Sequence, residues 1–319
     1  MTDEIGKALS VGIDCYGIIG DLSGCENDAQ SVSDLLSKNE DSTPNFNVKT
    51  LLSKKTAIDR AILKKELEML FSSNVENTIF YFAGHGHIDE YGGYILTPDC
   101  TEGDDGLSMD DLSKIVGNSR SRNKIVILDC CHSGCIGNNT LFAGKTLIPD
   151  GTTYLTACTE EEVAKEENGN GLFTSLLTDG LRGGASNILG QISPGSLYSY
   201  IDQSLSLYEQ RPVFKTNIER FICIRKVHPP IERSELRKIS ILFRRPDNSF
   251  QLDTTYEFTN SDSIEENVSK FKTLQKMERV GLVAPSTHEH MYEEAMKNGS
   301  CKLTLLGKHY WKLANEGRI

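Results

Sequence analysis

The feature that most narrows the fold is the rhythm of the first two thirds of the chain. Short apolar runs rich in β-branched and aromatic residues alternate there with longer stretches of helical periodicity. Strands separated by helices can pair in parallel, because each helix supplies the crossover that returns the chain to the sheet, and the helices then cover both faces. The runs predict strands over 8–14, 48–52, 78–83, 124–129, 153–157 and 213–216, and helices over 28–37, 58–71, 109–116, 172–181 and 197–208. Ser108 precedes the third helix as a cap, and Asp110 and Asp111 stand in its first turn, where the helix dipole favours anions. Residues 137–151 contain Gly and Asn without periodicity and are expected to form a surface loop.

In an open sheet of this kind, ligands bind outside the carboxyl ends of the strands. Two predicted strands end there in residues that carry chemistry: Ala83-Gly84-His85-Gly86 and Asp129-Cys130-Cys131-His132-Ser133-Gly134. An imidazole within hydrogen-bond reach of a thiol favours the thiolate, which attacks carbonyl carbon, and later protonates the leaving amine. His85 and one of the two cysteines suffice for that. Glycines on either side of His85 let backbone approach a substrate, and the N–H groups of Gly86 and Cys131 are candidates for an oxyanion hole.

Simpler readings exist. A histidine in a strand-end turn is often structural, and a motif match alone carries false positives. Cys130, Cys131, His132 and Cys135 lie close in sequence, with His87 near His85, so structural zinc is a second reading. Against it, adjacent strand residues face opposite ways, and no second Cys/His pair with zinc spacing follows. A phosphate cradle is weaker, because Gly84-His85-Gly86 lacks the remaining glycines of a nucleotide fingerprint and no Gly-Lys-Ser/Thr occurs.

The Ala-Gly-His-Gly turn, followed about 45 residues later by Asp-Cys-Cys-His-Ser-Gly, resembles the caspase-like cysteine peptidases, and among them metacaspases and their prokaryotic relatives. The likeness spans about residues 5–225. It includes Leu22-Ser23-Gly24-Cys25-Glu26-Asn27-Asp28-Ala29, Tyr154-Leu155-Thr156-Ala157-Cys158-Thr159 and Gly171-Leu172-Phe173-Thr174. The resemblance implies a caspase-like αβα sandwich with a mostly parallel central sheet. It also implies a cysteine endopeptidase with His85 as base and Cys131 as nucleophile, chosen over Cys130 because the family's cysteine immediately precedes His-Ser-Gly.

It further implies cleavage after Arg or Lys, through a substrate-binding pocket formed around Cys25, Asp28, Ala83 and Asp129. Two carboxylates facing a cation give charge-assisted hydrogen bonds, and a guanidinium can be held bidentately. Asp28 has the plainer reading of a helix-start acid, whereas Asp129, at the end of a buried strand, needs a partner. Ala83 stands where the family often has Ser, which removes one polar contact. No cofactor is required on this reading, although some relatives use calcium. Asp99, Asp104, Asp105, Asp110 and Asp111 offer hard oxygen ligands, without the spacing of an EF-hand and with Asn138 where a family ligand is expected. Caspase-like enzymes are often cut between their halves, and Lys145 is the only Lys or Arg from 132 to 153, which makes Lys145-Thr146 a candidate self-cleavage site.

The paired prolines at Pro229 and Pro230 suggest a boundary, giving a peptidase domain over 1–228 and an accessory module over 229–319. Residues 231–319 hold 14 Lys/Arg against 13 Asp/Glu, and the rest holds 20 against 32. The tail predicts strands over 239–244, 254–258 and 301–305 and helices over 264–280, 289–297 and 308–315, an α+β order resembling a winged helix. It is near neutral and lacks a basic recognition helix, so a regulatory protein partner is expected rather than nucleic acid; the net charge of -11 also opposes phosphate.

The first segment has no basic n-region and no 18-residue apolar run occurs, so neither export nor membrane association is expected and the cytoplasm is the default location. Nine cysteines without an export signal read as thiols. The active reading has two rivals: an inactive caspase-like scaffold and a zinc-binding interaction protein. A stress or antiphage effector role rests on resemblance alone.

Overall fold

The computed structural model describes residues 5–101, 106–131, 133–137, 147–157, 166–167, 170–205 and 211–319. The chain divides into two compact units, one of Met1–Asn187 with Gln191–Val227 and the other of Ile188–Gly190 with His228–Ile319.

A six-stranded sheet organises the first unit. Its strands are β1 (Gly6–Gly12), β2 (Phe46–Leu52), β3 (Asn77–Ala83), β4 (Asn123–Asp129), β5 (Thr152–Thr156) and β6 (Val213–Asn217), in the order β6-β5-β4-β3-β1-β2. All pairings are parallel except β6 with β5. The central strands explain this placement: β3 reads Asn-Thr-Ile-Phe-Tyr-Phe-Ala and is buried from Thr78 to Ala83, and β4 is buried throughout. Strands apolar on both faces belong under two helical layers.

Helices α1 (Cys25–Ser37), α4 (Leu172–Asp179) and α5 (Pro194–Ser204) cover one face, where Ala29, Val32, Leu36, Tyr81, Ile127, Phe173 and Leu177 form a core. Helices α2 (Arg60–Phe71) and α3 (Met109–Gly117) cover the other, packing Leu63, Leu67, Leu112 and Val116 against Phe80, Phe82 and Leu128. Each such fully buried side chain contributes about 1.5–3 kcal/mol relative to exposure. Asp59 caps α2 by accepting the Ile62 N–H, Ser108 caps α3 through Asp111, and Ser193 forms a capping box ahead of Pro194.

The helix predicted over 172–181 ends at Asp179 and widens into a π-turn over Gly180–Gly184. Gly183, at φ 138°, stops regular helix there. Three short strands absent from the sequence reading, Gly86–Asp89, Gly92–Ile95 and Leu107–Ser108, form a small antiparallel sheet after β3. They are too short and glycine-rich to show periodicity.

The second unit is a small α+β module. Helices α6 (Arg233–Arg237) and α7 (Ile239–Leu242) precede β7 (Ser249–Gln251), α8 (Glu265–Arg279), β8 (Val283–Pro285), α9 (Met291–Met296), β9 (Ser300–Leu303) and α10 (Leu305–Asn315). The strands pair antiparallel in the order β7-β9-β8. Two predicted strands are corrected: residues 239–244 begin as α7, and 254–258 contain a 3-10 turn at Thr254–Tyr256 capped by Asp253. Ile239 and Phe243 are buried at helical spacing, four residues apart, while Ile241 is exposed. Among the described residues, no helix is long and apolar enough to cross a membrane.

Candidate active site

Parallel register brings the two chemistry-bearing strand ends together. Ala83 of β3 is opposite Asp129 of β4, and the Gly84 N–H donates to the Asp129 carbonyl at 3.3 Å, so His85 and Cys131 continue from adjacent strands at equivalent positions. The approach is close: a Cβ at Gly86 would collide with the Cys131 carbonyl oxygen, so the residue after His85 must be glycine for the turn to lie against the cysteine backbone. Gly86 also starts the short strand Gly86–Asp89, opposite Ile95.

Cys131 and His85 are both partly exposed, whereas Cys130 is buried among Leu128, Phe82 and their neighbours. The adjacent cysteines therefore divide into one facing the core and one within reach of solvent. His132 lies outside the described residues.

A loop after β1 meets His85 at two points, the Tyr16 side chain and the Gly20 carbonyl. His85 Nε2 is 3.0 Å from the Gly20 carbonyl oxygen, which can only accept, so Nε2 carries the proton and a neutral ring presents its lone pair at Nδ1. The His85 amide donates to the Tyr16 hydroxyl at 2.8 Å, and the two rings lie 4.7 Å apart. Asp21 Oδ1 accepts the amides of Tyr16 and Gly17 at 2.8 and 3.0 Å.

Two carboxyl groups lie on the α1 and α4 side of these strand ends. Asp28 sits in the first turn of α1 and Asp129 at the end of β4, and both are buried. Asp14 anchors that turn, accepting the Gly24 and Glu26 amides at 3.2 and 3.4 Å while its other oxygen meets Lys54 Nζ at 2.9 Å. Gly171 joins the two acids: its N–H donates to Asp28 Oδ2 at 2.9 Å, and a Cβ there would stand 2.5 Å from Asp129 Oδ2 and 3.3 Å from Asp28 Oδ2.

Thr174, one turn later on α4, donates to Asp129 Oδ2 at 2.6 Å and lies 2.6 Å from the Tyr81 hydroxyl. Burial, followed by the charges of Asp129 and Asp28, pushes the Tyr81 phenol well above its ordinary value. Cys25 and Ala83 are both buried in the core layer beneath α1.

The turn after Cys131 is fixed from the far edge of the sheet. Lys215 of β6 donates to the carbonyls of Gly134 and Ile136 at 2.7 and 2.9 Å. Sequence reading missed Tyr16, Asp21, Thr174 and Lys215. Tyr16 and Asp21 do flank the quoted Leu22–Ala29 motif, and Thr174 closes another, but Lys215 has no local signal because its partners lie about 80 residues away.

Of the calcium candidates, Asp99 accepts the Arg60 amide, Asp110 pairs with Lys114, and Asp111 faces Lys64 at 3.9 Å. Asp104, Asp105 and Asn138 fall outside the described residues, as does the proposed cleavage site at Lys145. Among the described residues no group of three or more His, Cys, Asp or Glu side chains is placed to hold a metal ion.

A family model described as a caspase domain matches residues 5–238. The fold is similar to protein GSU0716 from Geobacter sulfurreducens, with a TM-score of 0.52 and 18% identity over 70% of this chain and 100% of that one. It is also similar to Caspase-1 from Spodoptera frugiperda, with a TM-score of 0.53 and 13% identity over 71% of this chain and 92% of that one. No curated protein matches the sequence significantly.

Proposed function

The chain belongs to the caspase-domain family, and from that premise we propose that it is a cysteine endopeptidase in which Cys131 attacks the peptide carbonyl after Arg or Lys, with His85 as its base. The observation that carries this reading is the equivalent placement of His85 and Cys131 just beyond the ends of adjacent strands, beside two converging carboxyl groups.

In the first step His85 Nδ1 takes the Cys131 thiol proton, and the sulfur forms a bond to the carbonyl carbon, whose π electrons move to oxygen. Amide N–H groups at Gly86 and Cys131 receive that oxyanion. Collapse breaks the C–N bond, with the imidazolium giving its proton to the departing amine. Water, deprotonated by the same imidazole, then releases the acid and restores the thiol. Asp28 and Asp129 bind the substrate's guanidinium or ammonium, and an acidic side chain would meet like charge there.

Iodoacetamide labelling and peptide turnover test the assignment together. Cys131→Ala and His85→Ala abolish turnover, and Cys131→Ala alone removes the rapidly alkylated site. Cys130→Ala keeps most activity, because its thiol belongs to the core. Equal losses in folded Cys130→Ala and Cys131→Ala contradict the assignment; an inert wild type whose partners bind regardless favours a scaffold.

A further inference from the structure

The nine residues Asp14 to Leu22 connect β1 to the segment that begins α1, and they form a collar that meets His85 at the Tyr16 side chain and the Gly20 carbonyl. Two side chains account for its shape. Tyr16 is buried at 3% exposure, its ring rests against the imidazole at 4.7 Å with a 58° tilt, and its hydroxyl receives the His85 amide at 2.8 Å. Asp21 closes the collar from outside by accepting the amides of Tyr16 and Gly17 on one oxygen, and the Leu22 amide returns to the Asp14 carbonyl at 2.8 Å. That closure sets the Gly20 carbonyl 3.0 Å from His85 Nε2.

We propose that Tyr16 and Asp21 are positioning residues for the reaction, Tyr16 fixing the backbone and ring plane of His85 and Asp21 fixing the carbonyl that selects its tautomer. The inference rests on the peptidase reading above. Neither residue touches substrate; both act through the imidazole. A proton-transfer group displaced by a fraction of an ångström loses rate while substrate affinity, set at the carboxyl pair, stays.

Charge states agree with these roles. Burial, countered in part by the His85 amide, pushes the Tyr16 phenol well above its ordinary value, so its hydroxyl is neutral. The amides of Gly17 and then Tyr16 hold the Asp21 carboxyl below the usual carboxylate range, so it is an ionised acceptor.

A ring that only fills the core and one that positions His85 are separated by Tyr16→Phe, which keeps the ring and deletes the hydroxyl. With a basic peptide substrate, Tyr16→Phe and Asp21→Asn each lower kcat about tenfold with KM changed less than about twofold, the equivalent of one net hydrogen bond in the barrier. Asp21→Glu, which keeps the charged acceptor, recovers part of the loss, and thermal midpoints stay within a few degrees. Wild-type kcat in both Tyr16→Phe and Asp21→Asn overturns the inference and leaves the peptidase reading intact. A wild type without Cys131-dependent turnover fails at the earlier step. A loss confined to KM, or one accompanied by unfolding of both conservative variants, also overturns the positioning role.

Discussion

Glu294 in the second unit and the Asp28–Asp129 pair in the first are all carboxyl groups shielded from water, yet they are held in different ways. Glu294 accepts the amides of Thr287, His288 and Ser300, all within seven residues of it, with His288 Nδ1 3.5 Å away. Burial opposes its ionisation, but those amides prevail and hold its carboxyl at about 2. Its charge in turn adds to the burial that pushes the Cys301 thiol up to about 12. In the first unit two like groups converge instead, held by partners 143 and 45 residues away in sequence. A locally saturated carboxylate is a joint of its own module. Two acids assembled from distant segments repel each other, and that arrangement has a use when a cation comes between them.

The largest expected effect falls on the joint. Glu294→Ala strands three amide donors and lowers unfolding free energy by roughly 3–5 kcal/mol, measured by denaturant titration. Because its folded value of about 2 lies below the ordinary 4.5, the stabilisation is complete above pH 4.5 and is lost as pH falls from there through about 2. Glu294→Gln should flatten that acid limb. An unchanged limb in the variant would deny Glu294 this role.

Next comes the pair. Asp129→Asn should cut turnover of basic peptides about 100-fold while the unfolding midpoint holds or rises, since one of two like charges is gone. A variant that unfolds but, when folded, cleaves normally would make Asp129 another joint. Smallest is Thr174→Val, which deletes the hydroxyl between Tyr81 and Asp129 at nearly constant volume. It should lower turnover of basic peptides about fivefold and stability by about 1 kcal/mol. A loss equal to that of Asp129→Asn would place Thr174 in direct contact with substrate.

The same contrast explains what the sequence disclosed. The two central strands were legible because apolar residues run unbroken from Ile79 to Ala83 and from Ile125 to Leu128, and the turns that follow them display His85 and Cys131. Asp28 and Asp129 were found through family resemblance, since nothing in their spacing says that Gly171 draws them together. Nothing in the sequence marks Tyr16; its hydroxyl meets the His85 amide only once β1 and β3 are paired. In the tail, residues 239–244 read as a strand where α7 forms, because a short apolar run does not distinguish strand from helix.

If Cys131 cleaves next to a cation held by Asp28 and Asp129, the residue before the scissile bond decides turnover. Four peptides identical except for Arg, Lys, Gln or Asp before the scissile bond, incubated with wild type and with Cys131→Ala and read by mass spectrometry, test it most directly. New termini are expected after Arg and Lys, few after Gln, none after Asp, and none at all with Cys131→Ala. Cleavage after Asp or Gln equal to that after Arg, or cleavage that survives loss of the Cys131 thiol, would contradict it.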